Sequence, residues 1–456
     1  MVTLPERFAV ARGVLRHYYG FGEFRPWQRR VLQSVFLGRD TLAVLPTGGG
    51  KSLCYQIPAV MLRGLTIVVS PLIALMQDQV AAARSRGIPV AALTSAMSWS
   101  SREATLSAVR RGEVRLLYLA PERLAPVVER LRAGGPRCEL LAVDEAHCIS
   151  EWGHDFRPAY RRIRQRCARL SFPPVVALTG SATPGVRRDI IASLGMGRHR
   201  ALDSHVASFD RPNLSFAAVR VRSEAGRLDE LVDRVRGSPA TSLVYVPTRS
   251  VCEALSRALN RAGIRTRPYH AGLSAGARRR VLEQFLDDRV AAVVATSAFG
   301  MGIDKPDVAL VIHWLLPATP EAYYQEAGRA GRNGAPARVI LMYRPGDERF
   351  HRQQLSVTFP RRSLVARAAG GGDLPGLPAS VRDSALRLAR ELSAGGEGPG
   401  GWRLVRRRHR AARRRLAAMV HYARTRSCRR RMLLRYFGEQ GCPCGGCDGH
   451  RCTVAG

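Results

Sequence analysis

From about residue 40 to residue 200 the chain alternates short apolar runs with amphipathic stretches. Asp40–Leu45, Leu65–Ser70, Leu116–Ala120, Leu140–Asp144 and Val175–Thr179 are apolar with little alternation. This is the pattern of strands buried on both faces of a parallel sheet. Helical stretches between them make a βαβ series. A second series starts near Ser242, with strands predicted at Ser242–Val246, Arg265–Tyr269, Ala291–Ala295, Val308–His313 and Arg338–Tyr343. The predicted fold class is therefore α/β, with two doubly wound parallel sheets joined around Ser204–Asn213. No repeat of fixed period is present. After about Arg349 the texture changes. Gly370–Pro378 and Ser393–Gly401 are rich in Gly and Pro and read as loops or linkers. In Gly401–Arg435, Leu416, Met419, Val420 and Ala423 keep i, i+3, i+4, i+7 spacing, which predicts a helix with one apolar stripe.

With 456 residues, and ~150 residues per core, about three domains are expected. The expected bounds are 1–205, 206–348, a Pro/Gly-rich linker or platform at 349–400, and a basic tail at 401–456. A content of 46% apolar and 24% charged residues excludes wholesale disorder. The apolar stretch around Leu65–Met76 falls short of the ~18–20 residues that span a bilayer. The opening Met1-Val-Thr-Leu-Pro-Glu-Arg has no basic-then-apolar leader pattern. A cytoplasmic protein with no membrane partner is expected.

Charge sharpens this. Lys plus Arg number 72 against 36 acids, a net +36, which points to a polyanionic partner, nucleic acid first. Only Lys51 and Lys305 are lysines. A GC-rich coding bias accounts for the arginines, and it makes a lysine kept at 51 notable. Gly401–Arg435 holds 14 arginines and no acid, and reads as a surface for a phosphate backbone. Five of the ten cysteines are scattered and five fall within Cys428–Cys452. The scattered ones read as buried thiols in a reducing compartment, the cluster as metal ligands.

The segment Thr41–Ser52 reads as a strand, a Gly-rich turn and a helix start. Backbone N–H groups of Thr47, Gly48, Gly49 and Gly50 would cradle phosphates at a helix N-terminus. Lys51 would hold the β- and γ-phosphates and Ser52 would ligate Mg²⁺. The strict pattern wants a glycine where this chain has Leu45. About 90 residues on, Leu140–His147 is an apolar strand ending in two carboxylates. Asp144 is placed for Mg²⁺ and Glu145 to orient or deprotonate the attacking water. Together they predict nucleotide hydrolysis. The second α/β domain offers Gln325, Arg329 and Arg332 in Gln-Glu-Ala-Gly-Arg-Ala-Gly-Arg. The two arginines, at i and i+3, lie on one face of a helix or turn and would place a cation on the γ-phosphate.

These residues carry a resemblance to superfamily 2 helicases of the DEAH type, and specifically to the RecQ family of DNA helicases. Gly22-Glu-Phe-Arg25-Pro-Trp-Gln28 resembles the adenine-reading motif. The resemblance implies that Gln28 reads adenine, Arg25 sits near the phosphates and Phe21 stacks on the base. Val69-Ser70-Pro71-Leu72 is similar to a motif touching the DNA backbone. Thr179–Thr183 and Val294–Pro306 resemble further helicase motifs, the first reading Thr-Gly-Ser-Ala-Thr where the family usually has Thr-Ala-Thr. Cys148–Pro158 resembles the family's aromatic-rich loop. There Trp152 and Phe156 would stack on bases at ~1–3 kcal/mol each, and Arg157 would bind a phosphate. His154 is implied to touch DNA and, with His147, to relay strand binding to Glu145.

Cys428–Glu439 is similar to the start of the family's zinc-binding domain. The match makes Cys428, Cys444 and Cys447 Zn²⁺ ligands. His450 takes the last place, with Cys452 and Cys442 as rivals; Zn²⁺ accepts Cys₃His as readily as Cys₄. The implied architecture is two RecA-like domains and a small helical zinc-binding domain, in a short form without winged-helix and C-terminal helical domains. The implied activity is an ATP-dependent helicase or translocase on single-stranded or forked DNA, moving 3′ to 5′, in repair or recombination. Its alternatives are a DNA-stimulated ATPase that moves or remodels without unwinding, and a zinc-stabilised binder. ATP, Mg²⁺ and Zn²⁺ are the cofactors.

Overall fold

The computed structural model describes residues 3–45, 49–71, 73–94, 97–150, 156–170, 173–300, 305–394, 399–440 and 446–448. The chain forms two compact units. The first holds residues up to Asp210 together with Leu434–Gln440; the second holds Arg211–Phe299 and Lys305–Leu433.

In the first unit the described strands are β1 (Asp40–Val44), β2 (Leu65–Val69), β3 (Val90–Leu93), β4 (Leu116–Leu119), β5 (Cys138–Val143), β6 (Val175–Thr179) and β7 (Leu202–Val206). They form a parallel sheet of order β3-β4-β2-β5-β6-β1-β7. The five predicted strands occupy its middle, where both faces are covered and every residue of β1, β2 and β4 is buried. The sequence reading misses β3 and β7, the two edges. Leu-Asp-Ser-His-Val in β7 is half-exposed and mixes polar with apolar residues, whereas Val-Ala-Ala-Leu in β3 is apolar but only four residues long. The two units divide at Asp210/Arg211, inside the predicted join at Ser204–Asn213, although the first residues of that span belong to β7.

The second unit has β8 (Leu214–Arg220), β9 (Ser242–Tyr245), β10 (Thr266–Tyr269), β11 (Ala292–Ala295), β12 (Leu310–His313) and β13 (Ala337–Tyr343), parallel in the order β10-β11-β9-β12-β13-β8. The missed strand is again an edge, β8. Gly446–Asp448 adds to that edge: Phe216 N–H donates to Gly446 O at 3.2 Å and Asp448 N–H to Phe216 O at 3.1 Å.

Residues 349–400 are more ordered than a linker. Helices Arg362–Ala369 and Ala379–Ala394 follow helix Glu348–Thr358. Val365, Ala368, Leu374, Ala385, Leu388 and Ala389 form a small core with Val405 of helix Pro399–Arg424. The bound predicted at 400/401 therefore cuts through a packed cluster. Leu416, Met419 and Ala423 are buried as their spacing predicts.

Candidate nucleotide and metal sites

In the first sheet β2, β5, β6 and β1 are neighbours, so the loops leaving their carboxyl ends stand in a row. Open parallel sheets bind ligands at this edge. The phosphate loop leaves β1. Gln28, in helix Pro26–Phe36, is buried beneath it. Its side-chain amide donates to the carbonyls of Gly49 at 3.4 Å and Gly50 at 3.3 Å, and its carbonyl accepts from the Arg25 N–H at 2.9 Å. Gly50 has φ +71°, and a Cβ there would meet Gln28 Nε2 at 2.9 Å. Both the turn and the close approach require glycine. Half-buried Lys51 and Ser52 come next, and helix Leu53–Met61 begins directly after them. Phe21 is 58% exposed, leaving a ring face open, and Arg25 is exposed as well. Thr47 and Gly48 lie outside the described residues.

Asp144 follows the end of β5. Its N–H donates to Val69 O at 2.9 Å, and its carboxylate accepts from the Glu145 N–H at 2.9 Å. Its side chain is buried, which pushes its pKa up to about 7; the neighbouring Glu145 charge adds to this and Lys51 opposes it. Glu145 takes a left-handed backbone, φ 45° and ψ 48°, costly for a residue with a Cβ. Its carboxylate lies 3.2 Å from His147 Nδ1, and that nitrogen is also 2.9 Å from Thr179 Oγ1 at the end of β6. Glu145, His147 and Thr179 are thus one connected group. The sequence reading finds His147 and puts Thr179 at the head of a helicase-like motif, but it does not foresee that the two meet. Tyr160, on the chain beyond the aromatic-rich loop, donates to Asp144 O at 3.2 Å.

The DNA-contact residues divide. Trp152 and His154 lie outside the described residues. Phe156 and Arg157 are half-buried; Arg157 Nη1 donates to Pro71 O, and its N–H to Cys148 O at 2.9 Å. The side chain expected on a phosphate therefore ties the loop to the segment after β2. Ser70 is 1% exposed, so it presents no surface to a strand in this arrangement.

In the second unit Gln325 sits half-buried in helix Pro320–Ala327. Arg329 and Arg332 come after that helix, in the turns that follow it. Arg211 holds these turns, donating to Ala330 O at 3.0 Å and Gly331 O at 2.8 Å. Arg329 is buried beside Tyr245, whose hydroxyl donates to Phe299 O at 2.8 Å.

In the tail, Cys428 immediately precedes helix Arg429–Tyr436, and Cys447 pairs with Phe216 of β8 in an isolated bridge. Their sulfurs are 3.6 Å apart. That is too far for a disulfide. It matches the edge of a Zn²⁺ tetrahedron, about 3.8 Å for ~2.3 Å Zn–S bonds. Arg429 braces the pair by reaching both Asp448, next to Cys447, and Tyr422 O. Cys444, His450, Cys452 and Cys442 lie outside the described residues, and no group of three ligands appears among the described residues. Two tail arginines are not phosphate contacts. Arg429 and Arg430 are buried, Arg430 donating to Arg211 O at 2.8 Å and to Leu214 O.

Comparison with known proteins bears on all three sites. Residues 25–190 match the DEAD/DEAH box helicase family, 225–334 the helicase conserved C-terminal domain and 401–451 the RecQ zinc-binding family. Over 343 residues the chain is 40% identical to the probable ATP-dependent DNA helicase RecS of Bacillus subtilis, covering 74% of this chain and 68% of that protein. Over 447 residues it is 36% identical to the ATP-dependent DNA helicase RecQ of the same organism, covering 97% and 67%. The chain belongs to the RecQ helicase family. The fold of this RecQ member is similar to that of Mycobacterium smegmatis helicase Lhr bound to ssDNA and AMP-PNP. The TM-score is 0.55 at 22% identity, over 91% of this chain and 57% of that one; this likeness is one of fold alone. No described helix is long and apolar enough to cross a membrane.

Proposed function

We propose that this RecQ member is an ATP-dependent DNA helicase that translocates 3′ to 5′ on single-stranded or forked DNA in repair or recombination, at the nucleoid of a bacterium. The observation that carries the reading is the Glu145–His147–Thr179 group. It joins the carboxylate at the end of β5 to the end of β6, on the same chain segment that leads into the aromatic-rich loop. A strand bound by Trp152, His154 and Phe156 would shift this segment and so move Glu145. Lys51 and the loop N–H groups hold the phosphates, Phe21 stacks on the base, and an adenine edge would have to draw Gln28 away from the carbonyls of Gly49 and Gly50 to be read by it. Mg²⁺ fits Ser52 and Asp144, both hard oxygen donors, and Asp144 is a buried carboxylate that a cation would stabilise as the anion. The ion supplies charge neutralisation on the phosphates. Glu145 orients the attacking water, and Gln325, Arg329 and Arg332 of the second unit stabilise the developing charge. Zn²⁺ fits Cys428 and Cys447, completed by Cys444 and by His450 or Cys452, and is structural.

The test is ATP hydrolysis with and without single-stranded DNA, beside a forked duplex in the same buffer. Stimulation with strand separation supports the helicase. Stimulation without separation leaves a translocase or remodeller, and no stimulation sinks both. Lys51→Ala should abolish turnover, by at least about 10²-fold, and spare DNA binding; normal hydrolysis by this variant would overturn the site.

A further inference from the structure

Within the second unit, helices Glu348–Thr358 and Pro399–Arg424 leave a groove with a cavity volume of about 610 Å³. None of the residues assigned above to nucleotide or zinc lines it. Its floor is aliphatic, with Leu355 from one helix and Leu416 and Ala417 from the other. Its rim is cationic, with Arg352 on one side and Arg413 and Arg424 on the other; no acidic residue is among those lining it. Glu348 reaches Arg424 at 3.4 Å, whereas Arg352 and Arg413 are exposed.

Two kinds of polyanion could be drawn to such a rim. A nucleic acid strand gains its affinity from bases stacked on open ring faces. Here the ring at the groove's end, Phe359, is already stacked on His409, centroids 5.2 Å apart and planes 22° apart, and the rest of the floor is aliphatic. Aliphatic floors between paired helices suit the i, i+3, i+4 anchors of an amphipathic peptide. The volume lies within the ~300–1,000 Å³ of ordinary ligand sites. Carboxylates flanking such anchors would meet guanidinium groups, the strongest charge-assisted pairs available. We propose that this groove docks an acidic amphipathic segment of a partner protein, its apolar side chains on Leu355, Leu416 and Ala417 and its carboxylates on Arg352 and Arg413.

The experiment uses the full chain and fluorescence anisotropy at moderate salt. One labelled peptide carries Asp/Glu pairs alternating with Leu/Phe pairs; a second keeps the charge but has Ser in place of Leu and Phe. The first should bind about tenfold tighter or better. Ala417→Glu puts a charge on the floor and Arg352→Glu reverses one on the rim. Both positions are exposed or half-exposed on helices, so basal ATP hydrolysis reports that the variants are folded. Each should weaken the apolar peptide about tenfold. Equal binding of the two peptides would overturn the proposal, because charge alone would then suffice. So would variants that bind like the parent. Loss of oligo-dT binding by these variants, with peptide binding unmoved, would assign the groove to nucleic acid instead.

Discussion

Asp144 shows how one residue can trade stability for chemistry. Its side chain is buried, and burial together with Glu145 raises its pKa to about 7, above the ordinary ~3.9 it has in an unfolded chain. The metal-free fold therefore favours the protonated acid. That contribution is complete below about pH 4 and is lost as pH rises towards 7. Asp144→Asn has no such titration. Its unfolding free energy should match that of the metal-free wild type near pH 4 and exceed it at pH 8, by on the order of 4 kcal/mol. Calorimetry at the two pH values checks this, and a constant difference would refute it. The residue types here are legible in the sequence, since a Gly-rich turn with lysine and a strand ending in two acids have few other uses. The contacts are not. That Gln28 holds the carbonyls of Gly49 and Gly50, or that Thr179 meets His147 across 32 residues of chain, depends on strand order, which no local pattern encodes.

At the level of elements, the sequence speaks in the middle of each sheet and unevenly at its edges, where β10 is found but β3, β7 and β8 are not. β1, β2 and β4 are buried throughout because both faces are covered, and apart from Asp40, Thr41 and Thr66 they are apolar. Helices 362–369 and 379–394 escape too, because Gly370–Pro378 between them dominates the composition. One charged pair fastens an element whose role composition hides. Arg227, fully buried, donates to both carboxylate oxygens of Asp347 at 2.9 and 2.7 Å. It thereby ties helix Glu224–Arg236 to the turn that starts helix Glu348–Thr358. Asp347→Ala would leave the buried guanidinium only the more exposed Glu224, 3.5 Å away, and should cost about 3 kcal/mol in denaturant unfolding of this unit; a loss under 1 kcal/mol would show that Glu224 or water takes over. The metal acts at the same scale. Cys447 bridges to Phe216 at the β8 edge, so Zn²⁺ would pin that edge to Cys428. Chelation should release Gly446–Asp448 and expose the β8 amides, read as faster hydrogen exchange at Phe216 and Ala218. Unchanged exchange after verified metal loss would mean that Asp448 holds the strand unaided.

Over the whole molecule, the net charge of +36 marks a polyanion binder without saying which cations bind. Burial separates them. Arg430 spends its donors on Arg211, Pro212 and Leu214 carbonyls inside the second unit, whereas Arg406, Arg410 and Arg414 of helix Pro399–Arg424 are exposed. Each phosphate neutralised on a single strand contributes a slope of about −0.7 to log K against log salt. If the exposed three each meet one phosphate, replacing all of them with Gln should flatten that slope by about 2 with the melting temperature held. Arg430→Gln should do the reverse: the slope stays, and stability falls because buried carbonyls lose their donors. Titrations of oligo-dT over a range of salt, with thermal melts of the same samples, separate the two kinds of arginine. A slope unmoved by the triple replacement would place the strand on another face of the tail. A slope that fell with Arg430→Gln alone would mean that the buried arginine sets the surface the strand sees, and that this tail binds through its shape as much as through its charge.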